Sequence, residues 1–191
     1  MTSITIFGNG NMGQAIGGVL AKGGASIQYV GSADTTAQLQ GGIVVLAVPH
    51  PALQQIAAAY ADQLAGKTVV DITNPLDFAT FDALVVPADG SAAAELQALI
   101  PEANVLKAFN TTFAATLNTG AVGTQKTTVL IAGDDATAKQ ALAAAIQAGG
   151  LEAVDAGALS RARELEAIGF LQLTLAVSEK VGWNAGFALA R

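Results

Sequence analysis

The 191-residue sequence predicts an α/β protein: a doubly wound parallel sheet followed by a C-terminal helical segment. Three observations predict it. Apolar runs alternate with stretches of helical periodicity through most of the chain. The first run, Ile4 to Phe7, breaks into Gly8, Gly10 and Gly13 in the spacing G-x-G-x-x-G and opens at once into a helical pattern. From Leu159 onward the pattern becomes one segment that is apolar around most of its circumference. Together they divide the chain into a Rossmann-type dinucleotide-binding domain, 1–157, and a helical segment, 158–191.

In the first helix Met12, Ile16, Val19 and Leu20 share one face, and Gly23-Gly24 ends it. Each glycine of the motif has a task. Gly8 permits the sharp turn, Gly10 lets the backbone approach a pyrophosphate, and Gly13 lets the helix pack against its strand. The phosphates then rest on the free N–H groups where the helix begins.

Ser26 to Gly31 reads as the second strand, whose end meets the adenosine ribose of a bound dinucleotide. A carboxylate there suits the 2′-hydroxyl of NAD, and an arginine suits the 2′-phosphate of NADP. The sequence offers Ser32, Ala33, Asp34, Thr35 and Thr36, with no arginine before Arg161. Ser32 can donate to a phosphate. Asp34 serves either the ribose or, with Thr35 and Thr36, the cap of a short helix.

The continuous apolar run Gly42 to Val48 suits a central parallel strand. Its end at Ala47, Val48 and Pro49 is expected to pass along the cofactor. A helix with Leu53, Ile56, Ala57, Tyr60 and Leu64 on one face follows. His50, the single histidine, stands in the turn between two prolines as a proton donor or a structural residue.

Lys67 to Ile72 is a fourth strand ending in Thr73-Asn74-Pro75, where the Asn74 amide can bond a nicotinamide ribose or a substrate, or simply form a turn. Residues 77–90 read as loop and Ser91 to Ile100 as a helix. Asn104 to Phe109 is a fifth strand, followed by Asn110, Thr111 and Thr112. Lys107 lies inside that apolar run, so it needs a partner or a route to solvent, and is expected to snorkel or to touch an anionic ligand. Thr116 to Lys126 reads as a loop near the site. Thr127 to Ala132 is a sixth strand, Asp134-Asp135 caps a further helix, and Glu152 to Val154 is a last strand.

Composition narrows the classes. The chain is 52% hydrophobic and 13% charged, with mean hydropathy +0.47, as expected of a soluble α/β protein. Its longest apolar stretches are too short, or too interrupted by proline, for a membrane span. The first residues lead straight into a strand, leaving no room for a signal peptide. A net charge of −6 with scattered basic residues argues against nucleic acid as a partner. Cysteine is absent, which removes disulfides, thiolate metal sites and cysteine nucleophiles, and fits a cytoplasmic protein. No metal set and no catalytic acid–base residue is assigned.

That poverty is informative. Alcohol dehydrogenation needs a proton relay. Hydride transfer between two organic carriers needs only two rings held face to face at ~3–3.5 Å with water excluded. The residues therefore favour an oxidoreductase that uses NADP(H), or NAD(H), with a flavin-like small-molecule acceptor.

The sequence also resembles the NADP-dependent oxidoreductases of the deazaflavin coenzyme F-420. The resemblance is carried by IFGNGNMG at 6–13, YVGS at 29–32, LAVPH at 46–50, KAFNTTFA at 107–114 and, most specifically, DAGALSRARELE at 155–166. It implies that Asn9, Gly10, Asn11 and Met12 hold the pyrophosphate and that Ser32 helps hold the 2′-phosphate. It implies too that the segment Phe109 to Thr112, with Asn110 and Thr111, borders the nicotinamide. The family's C-terminal helices form a homodimer, which agrees with an apolar C-terminal segment that needs a cover. One departure stands out: members that bind NADP tightly carry arginine after the serine, where this chain has Ala33 and Asp34, leaving room for NAD. Two other readings compete, an imine or keto-acid reductase and a non-catalytic protein that senses NADP(H).

Overall fold

The computed structural model describes residues 2–34 and 36–190, so Thr35 of the expected Asp34-Thr35-Thr36 cap lies outside the described residues. The chain opens with strand β1 (Ser3–Phe7), helix α1 (Asn11–Lys22) and β2 (Ser26–Val30). Next come β3 (Ile43–Leu46), α2 (Ala52–Leu64), β4 (Thr68–Asp71), α3 (Ala92–Leu99) and β5 (Asn104–Lys107). Helix α4 (Ala114–Thr119) leads into a small hairpin, β6 (Ala121–Val122) and β7 (Gln125–Lys126). Then follow β8 (Thr128–Gly133), α5 (Ala136–Ala148), β9 (Glu152–Gly157), a 3₁₀ turn (Leu159–Arg161) and α6 (Ala162–Val177).

Seven strands form one sheet in the order β2-β1-β3-β4-β5-β8-β9. The two-residue alternation of each strand splits the core into two layers. Ile4, Ile6, Val45, Val70 and Leu106 face α1 and α5, packing on Ile16, Leu20, Leu142 and Ile146. Phe7, Val44, Leu46, Val69 and Val105 face α2 and α3, packing on Leu53, Tyr60, Leu64 and Leu96. Strands β3 and β4 are buried on both faces, which is why their sequences are continuous apolar runs rather than alternating ones. Side-chain caps start two helices. Ser91 Oγ accepts from Ala94 N–H at 3.1 Å, and Asp135 Oδ1 from Ala138 N–H at 2.6 Å.

The structure departs from the sequence reading in five places. First, β8 runs antiparallel to β5, with Leu106 opposite Gly133, and β9 follows β8 in parallel. The sheet is mostly, not wholly, parallel. Second, the tract Thr116 to Lys126 is the end of α4 and a hairpin, not a loop. Third, no helix follows Asp34 among the described residues; its carboxylate instead accepts from Gly31 N–H at 2.9 Å. Fourth, the C-terminal helix stops at Val177, and turns carry the chain through Trp183. The fifth is Lys107. It is fully buried and neither snorkels nor faces a ligand site, because Asp71 and Glu166 close on it from two sides.

Candidate active site

The carboxyl ends of β1 to β5 converge on one edge of the sheet, the edge where parallel α/β proteins hold ligands. Two cavities open there, one on each side of the glycine turn. The larger, about 580 Å³, lies between β1, β2, the end of β3 and α2. The smaller, about 420 Å³, lies between the first turn of α1, the ends of β4 and β5, α4 and the chain after α6.

The turn between them is shaped by its glycines. Gly8 has φ +93°, and a side chain there would strike the backbone carbonyl of Ala47. A side chain at Gly13 would strike the Gly8 carbonyl, so α1 can sit this close to the turn only with glycine there. Gly10 is different. It is the N-cap of α1, and a Cβ built on it meets nothing within 4 Å. No side chain caps the helix, and its first turn carries no acidic residue. The opening amides of α1, Asn11 and Met12 among them, are thus free of side-chain acceptors and carry the positive end of the helix dipole. Asn9 is held beside them by a 2.6 Å hydrogen bond from Gln14 Nε2 to its Oδ1. These residues fit a dinucleotide diphosphate.

The larger cavity gathers Gly8, Asn9, Gly10, Ser32, Ala47, Val48 and Pro49, all named from the sequence. It also takes in α2 residues the sequence did not assign to the site: Gln55, Ile56 and Tyr60. The Tyr60 ring meets Phe7 edge-on at 5.0 Å, and its hydroxyl donates to the Asp34 backbone carbonyl. Its place on the buried face of α2 was legible; its contact with the loop after β2 was not. Among the described residues Asp34 is the one charged side chain lining this cavity, and no lysine or arginine lines it.

The smaller cavity takes in Asn11, Met12, Asn74, Phe109 and Asn110, with Thr112, Phe113, Leu173 and Trp183 added by the structure. Among the described residues no charged or titratable side chain lines it. Thr111 is buried and lines neither cavity, as does Gly13. Phe109 is fully buried at φ +64°, a left-handed conformation that costs a non-glycine residue about 1–3 kcal/mol. His50 faces Glu95 at 3.7 Å between α2 and α3, outside both cavities, which argues against a proton-donor role there.

The floor of the smaller cavity is fixed from below. Asn110 Nδ2 donates to Asn74 Oδ1 at 2.9 Å and to the Leu165 carbonyl of α6 at 2.8 Å. Asn74 Nδ2 donates to the Asn110 carbonyl at 2.8 Å. Gly169 lets α6 approach this pair, since a Cβ there would run into the Asn74 amide. Asn74 is therefore engaged by protein at both ends of its amide. It still lines the cavity, with a second amide N–H beyond the one bonded to Asn110.

One layer deeper, Lys107 Nζ contacts Asp71 Oδ2 at 2.7 Å, Glu166 Oε1 at 2.8 Å and the Thr73 carbonyl at 2.7 Å. Glu166 also accepts from Ala92 N–H at 3.0 Å, at the start of α3. Burial raises the Glu166 carboxyl above its ordinary value, against the opposing pull of the Lys107 ammonium. Lys107 thereby ties β4, β5, α3 and α6 together beneath Asn74.

No family model matches the chain. The chain is 30% identical to the F420-dependent NADP reductase of Methanocaldococcus jannaschii over 166 residues, covering 85% of this chain and 74% of that protein. A solved structure of a candidate F420-dependent NADP reductase from Arthrobacter sp. FB24 superposes over the whole of both chains, with TM-score 0.85 and 27% identity. A shorter stretch, 56% of this chain and 21% of the other, is 39% identical to the metalloreductase STEAP3 of Rattus norvegicus.

Proposed function

The chain belongs to the family of F420-dependent NADP reductases, and from that premise we propose that it moves a hydride between NADP(H) and a deazaflavin held in the two cavities flanking the glycine turn. The nicotinamide, when bound, supplies or accepts the hydride. The chain's own part is to bind, orient and exclude water. The opening amides of α1, at Asn11 and Met12 beside Gly10, would hold the diphosphate. Ser32 would donate to the 2′-phosphate, and Ala47, Val48 and Pro49 would line the nucleotide's path. Phe109 and Asn110 would floor the nicotinamide site.

One observation carries this reading: a helix start without a side-chain cap, opening between two cavities, one of which has no titratable lining. A cavity without an acid or base suits a reaction that moves hydride alone. The test is direct. Purified protein is expected to bind NADP⁺ in calorimetry and to oxidise NADPH with a deazaflavin. Tight binding without turnover over a range of deazaflavins and flavins would overturn the redox reading.

Asp34 favours an added reading, that NAD(H) is also accepted. Its carboxylate lines the proposed adenosine cavity, where among the described residues no basic side chain would meet a 2′-phosphate. We also infer a cytoplasmic homodimer assembled through the segment 158–191. The outward face of α6 leaves Leu171 and Val177 about half exposed, and a self-complementary contact would cover them. Light scattering is expected to give twice the chain mass; a monomer at micromolar concentration would count against it.

A further inference from the structure

We propose that Trp183 is the outer wall of the acceptor site and selects acceptors that carry a flat, electron-poor fused ring. The inference rests on the redox reading above and specifies it. Trp183 is the chain's single tryptophan, and it lies beyond the end of α6. It lies outside the core. One side packs on the buried Phe113 ring, with centroids 5.1 Å apart and planes inclined by 54°, and 54% of the residue stays exposed beside the smaller cavity.

The indole is held in place rather than left loose. Lys180 and Val181 N–H both donate to the Leu175 carbonyl, turning the chain back on α6. Phe187 N–H donates at 3.2 Å to the side-chain carbonyl of Gln172, itself buried in α6. The turn is therefore pinned on both sides of Trp183.

Across the cavity stand Asn11 and Met12, in the first turn of α1, where the nucleotide is expected. A second planar group entering this space meets nicotinamide on one side and aromatic surface on the other. Covering the bare part of the indole is favourable, and a tryptophan face attracts an electron-poor ring in particular. A hydrated metal chelate finds no charged side chain here to replace its water. The wall thus discriminates by ring stacking, in favour of deazaflavins and flavins and against small charged acceptors.

The test uses the full chain saturated with NADP⁺ and titrated with 5-deazariboflavin in a calorimeter. Trp183→Ala is expected to weaken deazariboflavin binding about tenfold, the scale of one aromatic stacking contact. Trp183→Phe is expected to stay within threefold of wild type, and both variants to bind NADP⁺ within twofold of it. In turnover the same split appears as a raised KM for deazariboflavin with KM for NADPH unchanged. Unchanged deazariboflavin affinity in Trp183→Ala overturns the proposal. So does an equal loss of NADP⁺ affinity in Trp183→Phe, which would make the residue part of the nucleotide site. Wild-type protein that binds deazariboflavin in a Trp183-dependent way without turnover would sink the redox reading and leave this one standing.

Discussion

Asn74 and Asn110 hold each other reciprocally: the side-chain amide of Asn110 donates to the side chain of Asn74, which in turn donates to the backbone of Asn110. The pair joins the end of β4 to the turn after β5 and is braced by α6 through the Leu165 carbonyl. Asn74→Ala leaves buried donors and acceptors without partners. It is expected to cost about 1–3 kcal/mol of stability in urea unfolding. It should also lower kcat/KM for the deazaflavin several-fold, because the strained Phe109 turn loses its support, with the NADP⁺ Kd little changed. A variant of wild-type stability would show that the pair is not a brace.

Gly10 and Gly13 share one motif but not one role. Space is open around Gly10, and its φ of −80° and ψ of −172° suit any residue. Gly10→Val is expected to melt within a few degrees of wild type and to lose NADP⁺ binding in calorimetry, since valine would project where the diphosphate is proposed to lie. Gly13→Val forces a methyl-bearing carbon against the Gly8 carbonyl and is expected to destabilise the fold by about 3 kcal/mol. Normal NADP⁺ affinity in Gly10→Val would move the phosphates elsewhere.

Burial raises Glu166 above the ordinary carboxyl value of 4.5, so the folded chain holds its proton more tightly than the unfolded one. Its contribution to stability is then complete below that ordinary value and is lost as pH rises through the raised one. Wild-type stability is expected to fall over that window, and Glu166→Gln to lack this component of the slope. The measurement is urea unfolding at several pH values from 4 upward. Parallel profiles for the two proteins would show that the carboxyl does not titrate there.

Asp34 is, among the described residues, the lone charge lining the larger cavity, where the adenosine is proposed to lie. Asp34→Asn is expected to tighten NADP⁺ about fivefold relative to NAD⁺, the scale of a ~1 kcal/mol interaction between near-surface charges. The gain should shrink as salt is added. An unchanged ratio of the two dissociation constants would remove Asp34 as a discriminator.

Much of this arrangement could be read from residues alone, and the failures have physical causes. The run GIVVLAV announced β3 because a strand buried on both faces has no reason to alternate. The glycine turn was legible because Gly8 and Gly13 each answer a steric demand of the fold, while Gly10 keeps the space at the helix start open. The direction of β8 was not, since the short strand reads the same whichever way it runs. The hairpin after α4 has two-residue strands, too short to show any period. Lys107 stands out within its own apolar run, but Glu166 lies on another element, and nothing local couples them. Trp183 reaches Phe113 only through the turn that follows α6, so this contact left no mark in any single stretch.

The reversed strands at one edge of the sheet also decide what the last helix can reach. With Gly133 opposite Leu106 and Gly157 opposite Ala132, β8 and β9 both finish toward the side of the sheet away from the ligands. The chain must then climb back, and α6 is that ascent, passing Asn110 and Asn74 before delivering Leu173 and Trp183 to the rim. Had those strands run with their neighbours, the helix after β9 would have set out from the ligand side and descended. The second half of the pocket would then have needed a separate domain to supply it.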